Sequence, residues 1–499
     1  MLPPAMNPHP TLQAALDETR RAEGVEYADA RLVASEREHV KLHNDDVDRV
    51  DRESSEGVNV RVLVGGAWGF GARPGTGAAA AAAAARDALE VARAAARVTK
   101  TRVRLAEEEP SRGTWRSPVA EDPFAVPLQR KLDDLRAGLA AVRAGVSAGD
   151  LAKLRALEAR TIFWREHKWF ASSEGSVTEQ EKTLGGCGMK ITCADGDEVA
   201  VRSWPMDLDG GVTMAGYEAV RFFDLPGHAP ALRDEALALL TAPPCPAGKT
   251  TLVLDTPQLA LQIHESCGHP TECDRALGEE ISLAGASFLT PDKLGRFVYG
   301  APRVNLTADS QTPGGLGTFG WDDEGVPARR TPLVSRGIFV GYLSSRETAA
   351  ALGLGRSAGC MRAQSWNRPP VIRMINVSLE PDPKGPASLD DLVADTDDGL
   401  LMGTNRSWSI DDLRLNFQFG CEAAWEIKKG KRTRLFKKPL YTGSTPRFWG
   451  ACDAIAAPAA FRQWGFLSCG KGDPMQLMAV GHGCAPARFR GVDVGSSAE

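Results

Sequence analysis

The chain has 499 residues, 43% apolar, 7% aromatic and 25% charged, an ordinary globular balance that excludes a disordered, collagenous or coiled-coil protein and allows several domains. Fifty-nine basic against 64 acidic residues leave a formal charge of −5 and a pI near 6.0, with no general basic footprint for nucleic acid or an anionic membrane. Ten cysteines without a paired ladder exclude a disulfide scaffold, no apolar run reaches the roughly 18 residues of a spanning helix, and residues 1–8 lack the basic-then-apolar order of a secretion signal, so the expected setting is a soluble cytoplasmic protein with reduced thiols.

In chain order, Leu12, Ala15 and Leu16 recur at helical spacing and predict a helix over 11–22. Two extended stretches follow, 26–34 and 36–42. Residues 57–64 alternate cleanly with β-branched residues on one face, Gly65-Gly66 supplies a turn, and 67–72 returns as a strand. Thr76 suits an N-cap for an alanine-rich helix running to Val98. The proline-rich, charged stretch 105–127 is expected to be an exposed connection. A helix at 128–144 precedes extended segments at 152–165, 168–172, 178–192 and 198–206, then a helix at 232–241. The proline-rich stretch 242–248 marks the main boundary.

Beyond it, a strand at 250–254 leads into a helix behind Pro257, a residue suited to the first turn. From about residue 300 the chain is strand and turn, at 303–307, 332–334, 338–343, 371–379, 421–427 and 435–441, with short helices at 346–352 and 388–394. No repeat of 20–50 residues supports a solenoid or propeller. The expected fold is α+β: an N-terminal α+β domain over 1–104, a central α+β region over 105–245, and a mainly antiparallel, β-rich C-terminal domain over 246–499 that begins with a metal-binding helix.

That helix carries the chemistry. Within Leu261–Asp274, two of the eight histidines, His264 and His269, lie five residues apart, and Glu265 directly follows the first. Histidine-glutamate with a second histidine on one helix is the hydrolytic zinc pattern, in which imidazoles bind the metal and the carboxylate takes a proton from water. Histidines four apart on a regular helix diverge by about 40°, whereas five apart diverge by about 140° and could not share an ion. The spacing therefore requires a π-type bulge or a break between them. Gly268 and Pro270 flank His269, and proline cannot donate to the helix ladder.

With Glu272 and Asp274 added, His264, Glu265 and His269 resemble the His-Glu-x-x-x-His-x-x-Glu-x-Asp signature of the metal-binding branch of the TldD/PmbA metallopeptidases. The resemblance extends along the chain. Residues 57–70 are similar to the family's N-terminal strand pair, Ser172-Ser173-Glu174-Gly175 to its central signature, residues 322–327 to a later one, and Arg373-Met374-Ile375-Asn376 to its Arg-Met-Thr-Asn. The resemblance implies that Cys469, in Cys469-Gly470-Lys471, is the third zinc ligand, and that Glu265 is the general base. A His₂Cys set leaves a fourth position open, as in catalytic zinc sites. Glu272 and Asp274 are candidates for carboxylates that orient a metal histidine, or else ordinary acids in a turn. Cys267 and Cys273 are the residues to test for a closed structural site, and Cys484 is a weaker competitor for the third position.

The implied activity is hydrolysis of short or unfolded peptides by zinc-activated water. The implied assembly is a dimer enclosing the sites, either a homodimer or a heterodimer with a metal-free paralogue. The alternative is a non-catalytic, peptide-binding partner subunit, against which the intact His264, Glu265, His269 and Cys469 argue. Residues 403–410 and 481–486 depart from the family pattern and are expected to shape the substrate cavity. Gly315-Leu316-Gly317-Thr318-Phe319-Gly320 matches a dinucleotide fingerprint by letters only; turn residues follow it, so a loop is expected. The basic run 428–434 is expected to be a solvated hairpin turn.

Overall fold

The computed structural model describes residues 7–206, 211–282 and 285–497. Of the N-terminal stretch 1–8 considered for a leader, residues 1–6 lie outside the described residues. Eight strands build the first sheet: β1 (Val25–His43), β2 (Asp46–Val64), β3 (Ala67–Pro74), β4 (Arg112–Arg116), β5 (Leu154–Ser172), β6 (Val177–Asp195), β7 (Glu198–Trp204) and β8 (Gly211–Thr213). Their order is β3-β2-β1-β5-β6-β4, with β7 and β8 also on β6, and only the β4–β6 pair is parallel. Two tight turns set this register. His43 pairs with Asp46 around Asn44 (φ 57°), and Val64 with Ala67 around Gly65 and Gly66 (φ 59° and 75°). Two-residue hairpins need such positive φ to match the twist of their strands.

β1 is one continuous strand rather than two, because β2 pairs with it on one side and β5 on the other through Ser35. Helices α1 (Pro10–Arg20) and α2 (Ala78–Ala96) cover β1–β3, burying Leu12, Leu16, Ala81, Ala84, Ala85 and Ala88 against Ala30, Leu32, Val58, Val60 and Val62. The fit is close: a Cβ on Gly69 or Gly71 of β3 would collide with the Ala88 or Ala84 carbonyl. The N-cap of α2 is Gly77 and not Thr76; the Thr76 carbonyl instead accepts the Thr11 hydroxyl of α1. Helix α3 (Leu128–Arg143), the short α4 (Ala148–Leu151) and α5 (Glu218–Phe223), and α6 (Leu225–Thr241) follow. α3 and α6 pack on β5–β7 through Leu132, Leu135, Leu139, Leu232 and Leu239. α6 begins seven residues before the predicted start because Asp224 caps it and Pro226 sits in its first turn.

The connection at 105–127 is not a free loop. It contains β4, and its backbone is tied on both sides: the Ala106 amide donates to the Arg346 carbonyl and the Ser117 amide to that of Glu181, each at 2.9 Å. Prolines and charges at its surface conceal a strap whose main chain is paired.

The C-terminal half starts with β9 (Gly248–Leu254) and helix α7 (Thr256–Ile263). Short strands β10 (Leu306–Asp309), β11 (Arg330–Ser335), β12 (Ile338–Phe339), β13 (Met361–Arg362), β14 (Val371–Ile372) and β15 (Val377–Leu379) make a four-stranded sheet and a two-stranded ladder. Then come β16 (Asp398–Ile410), β17 (Asn416–Lys428), β18 (Lys431–Phe436), β19 (Pro439–Ser444), β20 (Cys452–Ile455), the hairpin β21 (Arg462–Lys471) and β22 (Gln476–Cys484), and β23 (Ala487–Ser496). β16, β9, β23, β19 and β17 pair in a closed ring, since β17 returns to β16, and only β9–β16 is parallel. The fold is α+β, with a mainly antiparallel second half. The basic run 428–434 spans the β17–β18 turn at Lys429-Gly430. No helix among the described residues is long and apolar enough to cross a membrane.

Buried charge joins the halves. Asp323 lies 3.0 Å from Arg31 Nη1, accepts from Lys168 Nζ at 2.6 Å, and accepts from the Ala363 amide at 2.7 Å. Glu324 accepts the Arg346 amide at 2.8 Å, and the Arg346 guanidinium donates to both oxygens of Glu174 at 2.7 and 3.0 Å. The two sequence signatures at 172–175 and 322–327 therefore meet on one arginine. Burial opposes ionisation of Asp323, but Lys168 and Arg31 outweigh it and hold the carboxyl well below its usual range. A depressed native pKa stabilises the fold above the unfolded value of about 3.9 and stops doing so as pH falls through the native one. Asp323→Asn leaves two buried cations short of a partner and should lower stability by about 3–5 kcal/mol at pH 7. Denaturant unfolding followed by tryptophan fluorescence measures this, and the deficit should shrink below about pH 4.

Candidate metal centre

Helix α7 starts under Asp255, whose carboxylate accepts the Thr256 amide at 2.7 Å, and every residue from Thr256 to Ile263 is buried. An all-buried helix explains its apolar composition. From His264 to Gly268 the helix widens into a π turn, with the His269 amide donating to the His264 carbonyl, and a 3₁₀ turn follows at His269–Thr271. The required irregularity thus lies between the two histidines. Neighbouring polar groups serve the widened turn. The Thr271 hydroxyl donates to the Cys267 and Gly268 carbonyls (2.8 and 3.0 Å), Tyr299 Oη to the Ser266 carbonyl (2.8 Å), and Trp449 Nε1 to the Ser266 hydroxyl (2.9 Å). Buried carbonyls outside the α-helical ladder need such partners. Gly268 is required by packing, since a Cβ there would overlap Met374 Sδ.

His264, His269 and Cys469 converge: one ligand atom of each lies within 4.8 Å of the others, and all three residues are buried. Among the described residues this is the one group of three or more histidine, cysteine or acidic side chains so arranged. Cys469 sits where the β21–β22 register shifts, between Phe466 and Cys469, and its Sγ is 3.7 Å from His269 Nε2. A bulge of this kind re-aims a side chain. Arg373 braces both strands, donating to the Cys469 carbonyl and, at 3.0 Å, to that of Gln476.

Electrostatics divides the cysteines. Burial alone would raise the Cys469 thiol, but Arg373 and His269 outweigh it and bring it below its ordinary value. Burial raises the other nine, Cys187 and Cys245 to about 12 and the rest likewise upward. Burial also lowers His264 and His269 to about 4, so both imidazoles are neutral at pH 7. Neutral imidazoles and a thiolate-prone cysteine are the protonation states that a metal requires.

His269 Nδ1 lies 2.9 Å from Glu272 Oε2, which also accepts Arg275 Nε at 2.8 Å. Lys471 Nζ donates to Asp274 Oδ1 at 2.8 Å and lies 3.4 Å from Glu272 Oε1. Burial disfavours the Glu272 charge, yet Lys471, His269 and Arg275 hold its carboxyl well below the usual range. Cys267, Cys273 and Cys484 stand outside the group; Cys484 Sγ donates to the Thr256 carbonyl at 3.4 Å.

Two residues at the site carry no sequence signal. Arg414 Nη1 donates to Glu265 Oε2, and both side chains are buried. Arg414 has φ 62° in the β16–β17 turn, where Asp411 accepts the Leu415 and Asn416 amides at 2.7 and 3.1 Å. His482 on β22 lies with Nε2 2.8 Å from His264 Nδ1. It comes from the segment that departs from the family pattern. The glycine-rich stretch 315–320 is a loop, as expected, with the Gly317 amide donating to Asn376 Oδ1 at 2.9 Å.

Residues 247–496 match the PmbA/TldA metallopeptidase C-terminal domain, and residues 28–96 match PmbA/TldA metallopeptidase domain 1. A metalloprotease of Methanothermobacter thermautotrophicus is 28% identical over 484 residues, covering 95% of this chain and 96% of that protein. A zinc metalloprotease TldD homologue of Saccharolobus solfataricus is 25% identical over 55% of this chain and 56% of its own. The crystal structure of TldE from Thermococcus kodakarensis shares the fold, with a TM-score of 0.70 at 16% identity over 96% of this chain and 99% of that one. With half of its length matched by the C-terminal domain alone and its N-terminal strands matched by the first, the chain belongs to the PmbA/TldD metallopeptidase family.

Proposed function

We propose that the chain is a zinc-dependent peptidase acting on short or unfolded peptides. The observation that carries this is the convergence of two neutral imidazoles and a lowered cysteine thiol beside the buried Glu265 carboxylate. The donor set suits zinc, which takes histidine nitrogen and cysteine sulfur and is catalytic with three protein ligands. When bound there, zinc supplies Lewis acidity that polarises a carbonyl and brings the pKa of water near 7. Glu265 takes a proton from the attacking water and returns it to the departing amine. Arg414 fixes the Glu265 carboxylate through one oxygen, leaving the other for that transfer. His264, Glu265, His269 and Cys469 are each at most 6% exposed, which favours a thin, extended chain over a folded surface as substrate. The proposal includes a dimer, of two copies or with a metal-free paralogue, that encloses the site; sedimentation of the full chain, alone and co-expressed, measures it.

Glu265→Gln should retain zinc by elemental analysis and lose about 10²–10⁴-fold in peptide hydrolysis. Full activity in that variant with zinc bound sinks the mechanism. Chelation should abolish hydrolysis while the circular dichroism spectrum stays native, and added zinc should restore activity. Unfolding on chelation would assign the metal a structural role instead.

A further inference from the structure

The two imidazoles at the centre are backed differently. His269 meets a carboxylate, whereas His264 meets a second imidazole, His482, which is fully buried. His482 Nδ1 lies 3.0 Å from the Val377 carbonyl oxygen. A carbonyl only accepts, so Nδ1 of His482 carries the hydrogen. A neutral imidazole with a protonated Nδ1 has a lone pair at Nε2. That lone pair faces His264 Nδ1 at 2.8 Å, so His264 Nδ1 must be the donor. His264 is thereby held as the tautomer whose Nε2 is free.

The arrangement is anchored at each step. Val377 belongs to β15, within the four-stranded sheet; His482 pairs across the hairpin with Trp464; Phe466 packs against both His264 and His482. Gly481 has no room for a side chain, because a Cβ there would run into Asn376, so the strand approaches β15 closely enough for the contact. The hydrogen-bonded line therefore runs from main chain through one imidazole to the next, and every member is buried.

We propose that His482 is a positioning residue for the metal: it sets the tautomer and ring orientation of His264 and so raises zinc affinity without touching the ion. The inference rests on the zinc reading above. Outer partners of metal histidines characteristically contribute 10–100-fold to metal affinity.

The test uses the purified full chain and zinc alone, with affinity measured by chelator competition. His482→Leu removes the acceptor and should weaken zinc binding by about 10–100-fold. His482→Gln offers an acceptor to His264 and a donor to Val377 in the same order and should keep most of the affinity. His482→Asn, polar but too short to span both partners, should fall with leucine, and it takes leucine's place if that variant fails to fold. In the metal-free protein, nitrogen-15 histidine spectra should report His264 protonated at Nδ1 in the wild type and His482→Gln, and no longer solely so in His482→Leu or His482→Asn. Wild-type zinc affinity in His482→Leu and His482→Asn, or an unchanged His264 tautomer, would overturn the inference while leaving the zinc site standing. A wild-type chain that binds no zinc would overturn the site itself and this inference with it.

Discussion

The hydrogen bond from the His269 amide to the His264 carbonyl is a small departure from helical regularity, and the centre depends on it. A regular helix would turn imidazoles five residues apart away from each other. Widening by one residue brings them to one point, but it also takes nearby carbonyls out of the ladder, deep inside the protein. Thr271 and Tyr299 supply the missing donors, Trp449 holds the Ser266 hydroxyl, and Gly268 lets Met374 close over the turn. The helix is thus held in its irregular form by residues from three later segments of the chain.

Around that turn the charges are placed so that each donor has its own support. Glu272 behind His269 is itself held by Arg275 and Lys471, and Lys471 is shared with Asp274. Cys469 has the Arg373 guanidinium across its carbonyl. Glu265 has Arg414, and His264 has His482 with no charge at all. Acidic and basic groups occur in nearly equal number among these buried side chains, and such pairing is the condition under which buried ions are tolerable. The second network, on the buried Asp323 and Glu324 with the exposed Glu174 at its edge, lies where the first sheet meets the C-terminal half and anchors the strap at 105–127 through Arg346.

Much of this is legible in the sequence where the cause is local. The Gly65-Gly66 turn, the short helix at 346–352, and the need for an irregular turn between His264 and His269 follow from residue type and spacing. Cys469 is reached only through family resemblance, because nothing local distinguishes it from nine other cysteines; Arg373 and His269, remote in sequence, make the difference. Arg414 and His482 are placed by a left-handed turn and by sheet register, neither of which has a one-dimensional signature. The β21–β22 hairpin is obscured because its apolar alternation is broken by glycine, serine and cysteine at the bulge that aims Cys469. At 105–127 surface composition conceals a paired backbone.

His269 and Cys469 are 200 positions apart, and His482 lies further still toward the C-terminus. During synthesis the helix with its two histidines emerges long before its thiol partner, and nearly the whole C-terminal half must be complete before the three donors can meet. A polypeptide that stops short of Cys469 therefore lacks one of the three converging donors. Closing so long a loop is entropically costly, though each doubling of length adds only about 0.6 kcal/mol. A bound ion would act as a clasp between the middle and the end of the chain, joining maturation of the fold to acquisition of metal.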